Sequence, residues 1–143
     1  EGSDDQGCGM NRGIIVALLG LAATGAQAQQ CVPALSGGTV VDAPRHALAY
    51  RFQPAKVAIG RHFSLEVVVC DKADAGAVDG LQVDAFMPEH RHGMNYRAVV
   101  KSLGSGRFQV DGLMFHMPGR WDLLFDVSSG GRTERIVHEN ALR

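Results

Sequence analysis

The stretch RWDLLFDVS (residues 120–128) decides the fold, because Trp121, Leu123, Phe125 and Val127 share one parity while Asp122 and Asp126 take the other. Alternation of this kind makes one face of an extended chain apolar and the other polar, the pattern of a half-buried β-strand. Trp121, the single tryptophan of the chain, is the expected centre of the core. Working outward, the same period of two recurs from residue 47 onward in short runs separated by Gly, Pro and Asp. The expected strands are 47–52, 62–71, 81–87, 96–103, 107–110 with a continuation 113–117, 120–128 and 133–139. No segment of helical period competes with them. About seven antiparallel strands are what an immunoglobulin-like β-sandwich requires, so the fold class is all-β. Phe108 and Val110 share a parity that Leu113 and Phe115 do not, and Asp111-Gly112 lies between them. The chain is expected to change sheets at that point. Pro118-Gly119 marks a tight turn into the Trp121 strand, and Gly104-Ser105-Gly106 a hairpin connection.

Upstream of the strands the sequence reads as an export signal. Met10-Asn11-Arg12 supplies a short positive region, GIIVALLGL (residues 13–21) an apolar region, and Ala26-Gln27-Ala28 a small-x-small cleavage site. The apolar run falls short of the roughly 20 residues needed to cross a bilayer, so no stable membrane anchor is expected after cleavage. Cys31 follows Gln30 rather than a small residue, which argues against a lipid anchor. Residues 1–9 read as an upstream extension, 10–28 as the signal peptide, 29–44 as a flexible linker rich in small residues and Pro, and 45–143 as the folded domain. Removing residues 1–28 deletes Glu1, Asp4, Asp5 and Arg12 and leaves 13 Lys+Arg against 12 Asp+Glu. Such balance offers no basic stripe to a nucleic acid. Cys31 and Cys70 remain as an even pair in an oxidising compartment, periplasmic or secreted, and a disulfide between them is the natural expectation. Two thiols serving as copper ligands are the alternative.

Chemistry concentrates in the 31-residue window 87–117. Met87, His90, His92 and Met94 stand in FMPEHRHGMNY, and Met114, His116 and Met117 in GLMFHMPG; no methionine past residue 28 lies outside the window. Thioether sulfur binds Cu(I) well and zinc, calcium or magnesium poorly, and imidazole accepts either oxidation state of copper. The expected metal ligands are therefore Met87, His90, His92, Met94, His116 and Met117. His116 and Met117 are adjacent, so one of the two is expected to join the site unless the Pro118 turn distorts the strand. Met114, beside Phe115 in an apolar run, reads as a core filler. His46, His62 and His138 are scattered and read as surface or internally satisfied histidines. No Gly-rich phosphate loop, G-x-S-x-G elbow or H-E-x-x-H helix occurs, so no catalytic set and no enzyme activity is expected.

The segment VDAFMPEHRHGMN, followed by GSGRFQVDGLMFHMPGRWDLLFDV and a last strand, resembles the YtkA-like domain family. Members show a Met-Pro-x-His-x-His-Gly-Met type stretch and later a Gly-x-Phe, Gly-Leu-x-Phe, Met-Pro-Gly-x-Trp pattern. Matched positions here are Met87, Pro88, His90, His92, Gly93, Met94, Phe115, Met117, Gly119 and Trp121, over residues 61–143. The resemblance implies an exported or membrane-tethered β-sandwich related in style to FixH-type accessory proteins, with copper handling suggested by ligand type. Its expected partner is a copper-requiring envelope protein or oxidase assembly factor. The expected function is thus a periplasmic copper-binding or copper-delivery accessory protein. The alternatives are a metal-free cell-envelope sandwich that docks a partner protein through MPEHRHGM, and a small-molecule binder with a cavity between its sheets.

Overall fold

A computed structural model describes residues 31–72 and 76–143. The expected extension 1–9, the signal peptide 10–28 and the first two linker residues lie outside the described residues. Nine strands and no helix occur among the described residues: β1 Thr39–Asp42, β2 His46–Gln53, β3 His62–Asp71, β4 Val78–Met87, β5 His92–Gly93, β6 Val99–Gly104, β7 Arg107–Met114, β8 Gly119–Ser129 and β9 Arg132–Leu142. They form a five-stranded sheet ordered β1-β2-β3-β7-β6 and a four-stranded sheet ordered β5-β4-β8-β9, with all pairs antiparallel. If β2 is equated with strand A, the two sheets take the A-B-E-D and C′-C-F-G orders of an immunoglobulin-like sandwich, with β1 as an added edge.

Three expectations need correction. The stretch 29–44 contributes β1, whose Val40 and Val41 pair with Ala49 and Leu48. The short β5 was hidden within a polar loop. The chain also does not change sheets at Asp111-Gly112: β7 runs through it, and Asp111 and Gly112 together oppose Ser64 alone, because Val110 pairs with Leu65 and Leu113 with Phe63. This is a β-bulge, in which one extra residue flips the parity without breaking the strand. Gly112 takes the left-handed φ of 82° that the bulge demands. The true crossing between sheets is Phe115 to Pro118, between β7 and β8.

The inner faces carry the alternation that the sequence displays. Trp121, Leu123, Phe125 and Val127 are each 0% exposed and meet Leu48, Tyr50, Leu65, Val67, Val110 and Phe115 from the opposite sheet and the crossing. Tyr50 lies 5.3 Å from Phe125 between ring centroids, and Phe115 5.1 Å from Trp121. Tyr50 also reaches the facing sheet with its hydroxyl, 2.8 Å from His138 Nδ1 and 3.1 Å from Asn140 Oδ1. Burial raises the pKa of that hydroxyl, with the Asn140 bond opposing in part.

The end of the sandwich that holds the start of β2 and the end of β8 is joined by polar groups. His46, fully buried, faces Glu134 Oε2 at 2.7 Å through Nδ1 and Ser129 Oγ at 2.9 Å through Nε2. The Arg45 backbone N–H donates to Glu134 Oε1 (3.1 Å), and its guanidinium donates to Ser129 Oγ (3.2 Å). Serine, histidine and glutamate are here in the order that activates a serine nucleophile. Ser129 is itself 0% exposed and its oxygen is held by Arg45, so the cluster functions as a lock between sheets. His46 is thus an internally satisfied histidine, as expected. Near the same end Cys31 and Cys70 are disulfide-bonded with Cα atoms 5.7 Å apart. Closing their 39-residue separation stabilises the fold by about 4 kcal/mol on the chain-entropy model.

Candidate metal centre

The opposite end of the sandwich gathers the histidine-rich turn and the crossing. β4 stops at Met87 because Pro88 has no N–H to continue the ladder. The His90 N–H donates to the Met87 carbonyl at 3.3 Å, closing a turn. Arg91 then takes φ 54°, a left-handed conformation that costs a non-glycine residue about 1 kcal/mol. The turn brings His92 back opposite Met87 as the first residue of β5. Residues directly opposite in an antiparallel pair share a face, so His92 stands on the core side of the sheet with Met87.

His116 enters from the crossing. Its ring stacks on His92 with centroids 5.0 Å apart and an interplanar angle of 28°. Both rings rest against Trp121, His116 at 5.2 Å and His92 at 5.8 Å. His90 stands 5.8 Å from His92 on the exposed turn.

The available nitrogens can be assigned from their partners. His92 Nδ1 lies 3.0 Å from the Gly93 carbonyl, an acceptor only, so Nδ1 carries the proton and Nε2 presents a lone pair. The Nδ1 of His116 is buried with no hydrogen-bond partner, the one such side-chain atom among the described residues. A buried polar atom without a partner costs about 1–3 kcal/mol, and a ligand would relieve that cost. Among the described residues no group of three or more His, Cys, Asp or Glu side chains is arranged to hold a metal. Of the expected ligands, His92 and His116 stand ring to ring, with His90 5.8 Å from His92.

The methionines divide. Met87 is 0% exposed within the core. A Cβ built on Gly119 would stand 2.6 Å from its terminal methyl, so the glycine, at φ 125°, makes room for it. Met94 and Met117 are half-buried at the border of the core. The Met117 carbonyl accepts from Trp121 Nε1 at 3.1 Å, which ties the crossing to β8. His116 and Met117 lie in an irregular crossing rather than in a strand, so strict alternation of faces does not govern them. Met114 is no core filler: it is half-buried on the outer face opposite His62, whose ring contacts Tyr96 at 4.9 Å. Sequence reading missed the part of Trp121 as a wall behind two histidines. The Met-Pro-Gly-x-Trp spacing is its local signal.

Beside the site an open groove of about 820 Å³ runs along the edge of β4, lined among others by Leu81, Asp84, Met94, Tyr96, Arg97 and Asp126. At its rim Arg135 donates to both carboxylate oxygens of Asp126, each at 2.7 Å. That pair holds the Asp126 carboxyl below its usual pKa, chiefly through the hydrogen bond. A lowered folded-state pKa contributes stability above the unfolded value of about 3.9, and the contribution is lost as pH falls through the folded value. Asp126→Asn is therefore expected to lower the Tm at pH 7 by no more than about 2 °C, given solvent screening, and to have no effect near pH 2. Thermal melts at the two pH values check this.

No protein-family model matches the chain, and no curated protein matches it. The YtkA-like resemblance therefore has no matching family model behind it. Among solved structures, the chain is similar to a DUF4426 family protein of Pseudomonas aeruginosa PAO1, with 9% identity and a TM-score of 0.51. The match covers 76% of this chain and 97% of that one. At such identity the likeness is one of fold, and it agrees with the all-β, two-sheet architecture.

Proposed function

We propose that this chain is an exported copper-binding or copper-delivery accessory protein whose ion sits at the His92–His116 end of the sandwich. The observation that carries the reading is the stacked imidazole pair, with His92 Nε2 free and His116 Nδ1 buried without a partner. His90 completes the nitrogen set, and Met94 and Met117 at the core border supply thioethers, with Met87 behind His92. Neutral imidazole and thioether together favour copper, and Cu(I) above the harder divalent ions. The likeness of MPEHRHGM to YtkA-like sequences supports the same reading, and the partner that goes with it is a copper-requiring envelope protein or oxidase assembly factor.

Titration of the protein with Cu(I) and Cu(II), beside a His90→Ala/His92→Ala double variant, tests it. The expected result is one bound ion in the parent and an affinity at least about 100-fold weaker in the variant, as loss of two of a few ligands requires. Equal affinity in the two proteins would overturn the assignment. The alternative, docking of a partner protein without metal, draws on the exposed His90-Arg91 turn and the adjoining groove. It gains if the parent binds no copper.

A further inference from the structure

We infer that His90 is the exchangeable ligand of this site, the one that leaves to let an incoming sulfur donor of an acceptor protein take the ion. The inference rests on the copper reading above. His92 and His116 are both built into the wall. His92 is in the β4–β5 ladder opposite Met87, with Nδ1 bound to Gly93 O, and His116 is stacked on it with Nδ1 buried; both rings back onto the fully buried Trp121. Moving either ring disturbs the core.

His90 has none of these restraints. It is exposed on the turn 88–91, and its backbone is held by a single bond of 3.3 Å to Met87 O. Its ring lies 5.8 Å from His92, and the three histidines do not form a ready metal-holding group. His90 must therefore swing toward the pair to complete a site and can swing away without cost to the fold. The left-handed Arg91 next to it is the point about which the turn bends back to β5. In transfer, the bond from copper to His90 nitrogen breaks and a bond to the acceptor's thiolate or thioether forms. The His92 and His116 bonds then break in turn. Copper keeps its oxidation state throughout, so no oxidant or reductant enters. An acceptor with sulfur ligands suits such an exchange because sulfur holds Cu(I) more strongly than imidazole does.

The test uses the full chain loaded anaerobically with Cu(I) and the chromophoric chelator bicinchoninate as acceptor. Parent, His90→Ala, His92→Ala and His116→Ala are compared for equilibrium affinity by competition and for transfer rate by stopped flow, with thermal melts as a fold control. Expected are affinity losses of about tenfold in His90→Ala and about 100-fold or more in the other two. Transfer from the parent should reach a limiting rate as chelator rises, set by departure of His90. Transfer from His90→Ala should be at least about tenfold faster and should not reach that limit. The inference is overturned if His90→Ala loses as much affinity as His92→Ala, or if its transfer follows the parent's rate law. Failure of the underlying copper reading shows separately, as absence of Cu(I) binding by the parent.

Discussion

Trp121→Ala is expected to lower stability by about 4 kcal/mol and the Tm by about 20 °C. The side chain is 0% exposed, packs on Phe115 at 5.1 Å, and donates its indole N–H to the Met117 carbonyl. Truncation opens a large cavity and leaves a carbonyl of the crossing without its donor. Because His92 and His116 lean on the same ring, the loss spreads to the site. Copper affinity should fall by about tenfold even though no ligand is removed, as when any support of a ligand is lost. Trp121→Phe separates the two roles. It keeps most of the packed volume but not the N–H donor, and is expected to cost about 1–2 kcal/mol. Circular-dichroism melts and copper competition on both variants check the scheme. A cost below 1 kcal/mol for the alanine variant would show that Trp121 is not the centre of the core.

Strands were legible wherever burial is one-sided over several residues. In β8, Trp121, Leu123, Phe125 and Val127 announce both the element and its inner face, and β3 has the bounds expected from sequence. Short elements left no such trace. β5 has two residues, and β1 has four, of which Val40 is 59% exposed. Parity was misleading at Asp111-Gly112 because a bulge and a change of sheet shift alternation alike. The distinction lies in what β3 does 47 residues away, where Ser64 Oγ donates to Asp111 Oδ1.

Of the expected ligand set, the nearness of His90 to His92 was legible in the sequence and that of His116 to His92 was not. Residue type and spacing brought out His90 and His92, since both lie on one short turn. Whether His116 or Met117 joined them depended on an irregular crossing whose path follows from the packing of Phe115 and Trp121. Met114 was misread because its strand has an apolar run on both sides, yet its own side chain faces outward opposite His62. The lock at the far end was not readable at all: His46 bonds partners 83 and 88 residues away.

That lock yields the second large effect. Glu134→Ala is expected to destabilise the fold by about 3 kcal/mol, read as a fall of about 2 M in the urea midpoint. The carboxylate is 12% exposed and accepts from two groups at once, the Arg45 backbone N–H and His46 Nδ1. With Nδ1–H donating to Glu134, Nε2 accepts from Ser129 O–H, whose oxygen accepts from Arg45. Removal of Glu134 takes the acceptor from the buried Nδ1–H of His46 and from the backbone N–H of Arg45. Glu134→Gln keeps one acceptor and turns a donor toward the second N–H, so it should recover about half of the loss. A Glu134→Ala midpoint within about 0.5 M of the parent would mean that water reaches the cluster and the lock is weak. The lock and the candidate metal centre occupy opposite ends of β8, from Gly119 to Ser129, a span of about 33 Å. Effects that far apart add independently. Glu134→Ala should therefore weaken the fold and leave copper affinity unchanged in the folded protein, whereas Trp121→Ala weakens both. A drop in copper affinity on Glu134→Ala would show that the two ends communicate through β8.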